Sequence, residues 1–177
     1  MPGFQPLAAG INFETGSKNE QRMLIPIDGS ECAMKAVRYA AEHFSGLAGL
    51  EITLLHVLPV PAIFWDEGHM LSEEEKKERR RFFEQWRQEQ RRTFEPAFRE
   101  AYETLVQKGI KPGQIIVKEA SDTVDAADRI LDETRTGAYQ TLLIGHCKHD
   151  RASHFLRGSV TLEIIHKGPG ATLSIIE

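Results

Sequence analysis

The chain has 177 residues, 41% hydrophobic and 27% charged, with a formal net charge of -4 at pH 7. That length suits one domain with a real core, and the composition is ordinary for a soluble globular protein. The slight acidity gives no general attraction to nucleic acid or to an anionic membrane, and no apolar stretch approaches the roughly 20 residues that span a bilayer.

The opening segment, MPGFQPLAAGINFETGSKNEQR, lacks a basic start followed by an apolar block, so no secretory signal is expected. Two cysteines, Cys32 and Cys147, cannot build a disulfide framework, which makes a reducing cytoplasm the expected compartment. Residues 1–21 mix Pro, Gly, Asn and Ser without a period and read as a flexible arm that docks, if anywhere, through Phe4 or Phe13. Residues 22–177 read as one domain.

Met23 to Ile27 is a short apolar run whose Pro26 argues for an edge strand or an irregular pairing. It ends in Asp28-Gly29-Ser30. With Ser30 as N-cap, Glu31 to Phe44 carries Ala33, Val37, Ala40, Ala41 and Phe44 at helical spacing. Ile52 to Val57 is a strand closed by Pro59 and Pro61. Ser72 to Lys108 is a long charged helix with a Ser72/Glu75 capping box and a Lys108-Gly109 stop. Phe82, Trp86, Phe94, Phe98, Tyr102 and Leu105 share one face of it, and Pro96 is expected to kink it or split it. Acid and base alternate through EEEKKERRRFFEQWRQEQRR, the pattern of a solvated face with internal ion pairs; a basic contact surface on Arg79, Arg80 and Arg81 is the other reading.

Gln114 to Lys118 is a third strand. Asp122 to Thr136 is an amphipathic helix with Val124, Ala127, Ile130 and Leu131 inward and Gly137 as its stop. A strand at Thr141 to Ile144 follows, then a helix opened by Gly158-Ser159, and a last strand at Thr172 to Ile176. Strands alternating with helices predict right-handed crossovers: a single doubly wound α/β domain, Rossmann-like, its five-stranded, mainly parallel sheet carrying helices on both faces.

The last segment, TLLIGHCKHDRASHFLRGSVTLEIIHKGPGATLSIIE, is the most informative. Strand, glycine, polar loop, Gly-Ser and helix N-terminus is the order in which an α/β protein presents backbone N–H groups and a hydroxyl to a phosphate. The segment resembles the C-terminal signature of the universal stress protein family, in which a glycine, two residues, a second glycine and nine residues precede Gly-Ser or Gly-Thr. Gly145, Gly158 and Ser159 match; Lys148 stands where the second glycine belongs. MLIPIDGSECAMKAVRYA resembles the family's opening strand and turn, and ITLLHVLPV fits as well.

The resemblance implies a fold of the adenine-nucleotide alpha-hydrolase type, a stress-response binding or signalling module, and ATP or another adenine nucleotide as ligand, with Mg²⁺ as its companion. Asp28 takes the adenine or ribose side, Val57 borders the base, and Gly145, Gly158, Ser159, Val160 and Thr161 hold the phosphates. Lysine does not share glycine's backbone freedom, so Lys148 implies either a rebuilt loop without that role or, with Arg151, a direct positive charge for the phosphates.

His146, Cys147, His149 and His154 also cluster in this loop beside Asp150, and Cys32 at a helix start falls on the same sheet edge, where a thiolate is favoured. Their spacing is too loose to assign a metal. His56, inside an apolar strand, reads as a satisfied core histidine. No Ser-His-Asp or paired-carboxylate arrangement stands out, so a binding module is expected rather than an enzyme, a slow ATPase being the lesser reading. It works as a homodimer through the closing strand, without nucleic acid or membrane. The alternative is a nucleotide-independent dimer whose His/Cys loop responds to metal or oxidation.

Overall fold

The computed structural model describes residues 21–58, 60, 72–121, 125–146 and 158–177, with the side chains of residues 158 and 159 excepted. Among the described residues five strands and four α-helices alternate: β1 (Gln21–Pro26), α1 (Glu31–Phe44), β2 (Leu50–Val57), α2 (Glu73–Gln107), β3 (Ile115–Ala120), α3 (Ala126–Thr136), β4 (Thr141–Gly145), α4 (Gly158–Lys167) and β5 (Thr172–Ile176). The sheet order is β3-β2-β1-β4-β5, and every pairing is parallel. Right-handed crossovers that step one way from β1 to β3 and the other way from β3 to β5 put α1 and α2 on one face, α3 and α4 on the other. This is the doubly wound fold expected.

The apolar strands make the core because both faces of the sheet are covered. Leu24, Ile25, Ile52, Leu54, Leu142, Leu143 and Ile144 are all but fully buried, joined by Ala36, Val37, Ala40 and Ala41 of α1. The small residues on α1 let that helix approach the sheet closely. A Cβ on Gly145 would lie 1.8 Å from the Cys32 carbonyl oxygen, so the end of β4 tolerates no side chain on that side.

β1 is central, not an edge. Pro26 is its last residue, and the next N–H, from Ile27, donates to Leu55 O of β2 at 2.8 Å. Successive N–H groups on a strand point to opposite sides, so the one Pro26 lacks would face β4. The β1–β4 ladder pairs Met23 with Thr141 and Leu24 with Leu142 and goes no further, so no ladder bond is lost. The β1–β2 ladder, by contrast, runs from Gln21↔Leu50 to Pro26↔Leu55. Gln21, read above as the end of the arm, opens β1, its N–H donating to Gly49 O at 3.1 Å.

α2 is one helix through Pro96, not two. Its capping box forms as expected: Glu75 N–H donates to Ser72 Oγ at 3.4 Å, and Ser72 N–H to Glu75 Oε2 at 2.7 Å. A proline in mid-helix costs about 3 kcal/mol. Here Phe94, Phe98, Ala101 and Leu105 around and beyond Pro96 pack on the core and outweigh that loss. α3 starts later than expected. Asp125 is its N-cap, accepting from Asp128 N–H at 2.9 Å, while Asp122 and Val124 lie outside the described residues, as do Phe4, Phe13, Pro59 and Pro61. Among the described residues no helix is long and apolar enough to cross a membrane.

Candidate functional site

In an open α/β sheet the ligand crevice lies beyond the carboxyl ends of the strands where their order reverses. Here that point is between β1 and β4. On the β1 side, Asp28 begins the turn into α1. Its Oδ1 accepts from Ser30 N–H at 3.0 Å and from Ser30 Oγ–H at 2.5 Å, while Ser30 Oγ accepts from Ala33 N–H at 3.2 Å. One carboxylate oxygen is thus committed to shaping the turn. Gly29 has φ +76°, a left-handed conformation that a side chain resists, and the ring of Phe94 from α2 lies against it.

Beside this turn, β2 ends in His56 and Val57. Val57 is buried and paired with Ala120. His56 is the satisfied core histidine expected: its Nδ1–H donates to Ile27 O at 3.1 Å, and its ring stacks on Phe94, centroids 3.4 Å apart and planes 11° apart. Burial pushes the imidazole pKa below its usual value, against the opposing pull of the Ile27 carbonyl and of the Glu119 and Asp28 charges. Nothing in the local sequence announced Phe94 as a wall of this corner, because the contact joins positions far apart in the chain.

On the β4 side, Gly145 pairs with Ile176, and His146 N–H donates to Ile176 O at 2.7 Å. The Gly145 Cα rests against the Cys32 backbone, so its lack of a side chain serves packing between β4 and α1. Cys32 is buried and disulfide-bonded, which departs from the thiolate reading. Lys148 lies outside the described residues, as do Cys147, His149, Asp150, Arg151 and His154, and the Ser159 side chain is not described. α4 begins at Gly158 as expected. Val160 packs on the core edge, and Thr161 is 3% exposed. Two fully buried polar atoms flank this end of the sheet without a hydrogen-bond partner among the described residues: Thr161 Oγ1 and His146 Nδ1.

Two other charged groupings are accounted for by their own contacts. Asp125, Asp128 and Glu163 bring three carboxylates within 4.8 Å, but Lys167 Nζ sits 2.6 Å from both Asp128 Oδ1 and Glu163 Oε1 and supplies the positive charge. The two carboxylates raise the Lys167 pKa well above its usual value. Under α3, buried Glu133 accepts from Lys118 Nζ at 2.8 Å, with Arg129 at 3.3 Å. Tyr139 Oη lies 3.2 Å from Glu133 Oε1 and 3.0 Å from Thr53 Oγ1. Burial alone would raise the Glu133 pKa; the hydrogen bond and charge of Lys118, with Tyr139 and Arg129, hold it below the ordinary carboxylate range. Among the described residues this network ties α3 to β2 and β3 and leaves no group of its own for a ligand.

An all-parallel sheet of this order, with an Asp-Gly-Ser turn after β1 and a Gly-Ser helix start after β4, defines a doubly wound α/β protein whose strand order switches between β1 and β4. The model of the universal stress protein family matches residues 20–173, and the chain belongs to that family. No curated protein sequence matches. Solved structures share the fold at low identity. A universal stress protein from Archaeoglobus fulgidus DSM 4304 is 19% identical with a TM-score of 0.61, over 90% of this chain and 51% of that one. One from Archaeoglobus fulgidus in complex with dAMP is 17% identical with a TM-score of 0.53, over 89% and 98%. A universal stress protein in complex with cAMP is 13% identical with a TM-score of 0.55, over 89% and 96%.

Proposed function

We propose that this protein is a stress-response binding module that takes an adenine nucleotide into the crevice between β1 and β4 and acts as a homodimer, without efficient catalysis. The observation that carries the nucleotide reading is the Thr161 hydroxyl. It lies in the first turn of α4, buried, with no partner among the described residues. An unsatisfied buried hydroxyl costs about 1–3 kcal/mol, which an anionic ligand at the positive end of the helix would recover. His146 Nδ1 adds a second unsatisfied atom at the end of β4. The dAMP and cAMP complexes of similarly folded proteins support an adenine nucleotide as the ligand class.

Asp28, Val57, Gly145, Gly158, Ser159, Val160 and Thr161 would hold the nucleotide, with Lys148 as an added cation. ATP with Mg²⁺ is the form the family resemblance favours. Asp28 lies in the turn after β1, and its Oδ1 is engaged by Ser30, which argues for binding over hydrolysis.

Equilibrium dialysis of the untagged protein against AMP, cAMP and Mg-ATP tests the reading. Saturable binding of one of the three is expected, weakened about tenfold or more in Thr161→Val, a loss of about 1.4 kcal/mol or greater. No saturable binding of any of them at millimolar concentration would end it.

A further inference from the structure

We propose that the outer edge of β3 is a docking site for an extended, acidic segment of a partner protein, which joins the sheet as a further strand. Leu58 N–H donates to Ala120 O at 2.7 Å, so Ala120 turns its backbone groups toward β2, and by alternation so do Lys118 and Ile116. Ile115, Val117 and Glu119 therefore turn theirs away from it. The Ile115 N–H is taken back by Pro112 O. The N–H groups of Val117 and Glu119 and the C=O groups of Ile115, Val117 and Glu119 line the outer edge, and among the described residues no strand pairs with them. Val117, in the middle of that row, is 47% exposed. Alternating donors and acceptors of this kind are matched by the backbone of an extended peptide.

Edge strands are commonly guarded by charged side chains, lysine above all. On β3 both charges are drawn off onto the helices. Lys118 Nζ donates to Glu133 Oε1 of α3 at 2.8 Å, and Arg91 Nε of α2 donates to both carboxylate oxygens of Glu119, at 2.9 and 3.0 Å. In each pair the acid is the sheltered half: the Glu133 and Glu119 side chains are 8% and 15% exposed, against 41% for Lys118 and 51% for Arg91. The edge thus offers an apolar centre with a cation facing solvent on each side of the sheet.

Those cations select the occupant. A second copy of β3 would bring the same positive groups against its own, which works against self-pairing. A strand with a β-branched residue opposite Val117 and a carboxylate beside it, on the Lys118 face, meets the apolar centre and the charge together. This edge lies on the far side of β2 from the crevice, so the proposal stands apart from the nucleotide reading.

The test uses the full chain and labelled peptides of equal length, capped at both ends: alternating Val and Glu, alternating Val and Lys, and the Val–Glu sequence N-methylated throughout. Fluorescence anisotropy reads binding. The Val–Glu peptide should bind saturably, and the other two should not. The Val117 N–H faces away from β2, so Val117→Pro deletes no ladder bond and should keep the fold by circular dichroism, while weakening the Val–Glu peptide about fivefold or more. Should that variant fail to fold, the N-methylated peptide reads the same backbone bonds on the wild type. Equal binding of the N-methylated peptide would reduce the effect to charge, and equal binding by a folded Val117→Pro would place it elsewhere. No binding of the Val–Glu peptide at millimolar concentration would leave the edge without this ligand. Each of these overturns the proposal, as does wild-type self-association abolished by Val117→Pro, which would give the edge to a second copy.

Discussion

His56 shows what one buried titratable ring does to the stability of the whole domain. Burial lowers its pKa in the folded chain, whereas in the unfolded chain it keeps its ordinary value of 6.5. Below that value the unfolded state binds a proton the folded state resists, so stability is full above pH 6.5 and declines as the pH falls toward the lowered folded value. The slope for one proton is at most about 1.4 kcal/mol per pH unit. Urea titrations between pH 7.5 and 5.5 should show this decline in the wild type and a flatter profile in His56→Gln, which keeps a donor for Ile27 O but does not titrate. Parallel profiles for the two proteins would assign the acid sensitivity elsewhere. Glu133 acts at lower pH: its depressed carboxyl adds stability that is complete above its ordinary value of 4.5 and lost as the pH falls through the folded value.

At the scale of elements, the hydrophobic runs and caps located all five strands and four helices, because period and capping chemistry are local. What the sequence hid was relational. Pro26 looked like an edge marker because a proline shows that an N–H is missing but not which neighbour it would have faced. Gly145 looked like a phosphate glycine, and nothing nearby revealed that Cys32 presses on it. Spacing named candidate residues at the ends of β1 and β4; Phe94 against Gly29 and the Lys118–Glu133–Tyr139 network had no local signal, since they join distant parts of the chain. Pro96 offers a direct test of element energetics. If its penalty is offset by packing on either side, Pro96→Ala should raise unfolding stability by about 1–3 kcal/mol in urea, leaving helix content unchanged. A gain in helix content on substitution would mean instead that α2 is interrupted in solution.

At the scale of the molecule, both edges of the sheet are strands, and they differ. β3 is partnered along its whole length by β2, its other edge lying beside charged residues such as Lys118 and Glu119. β5 presents Ile175, 39% exposed, and the neighbouring α4 presents Leu162 at 57% and Ile165 at 46%. An apolar edge strand beside apolar helix residues is a template for a second copy. Sedimentation equilibrium should give a dimer for the wild type and a monomer for Ile175→Asp; a monomeric wild type at micromolar concentration would remove the homodimer from the proposed function.

The short ladder between β1 and β4 divides the sheet into two plates of unequal size, β3-β2-β1 and β4-β5. Their backbone hydrogen bonds gather at one end, while at the other Gly145 of β4 packs on the first turn of α1. At the first end Gln140 N–H donates to Arg22 O at 2.9 Å, Arg22 N–H donates to the Gln140 side chain at 2.6 Å, and the Arg22 guanidinium reaches Gly137 O. At the other end, beyond Leu24 and Leu142, no ladder bond joins them. A book bound at the spine opens at the fore-edge, and the fore-edge here is the crevice. Native-state hydrogen exchange should therefore find β4, α4 and β5 opening as one cooperative unit at lower free energy than β1 to β3. A molecule held by both plates would then act on the protein as a clasp, suppressing that opening more than any single contact at either wall would suggest.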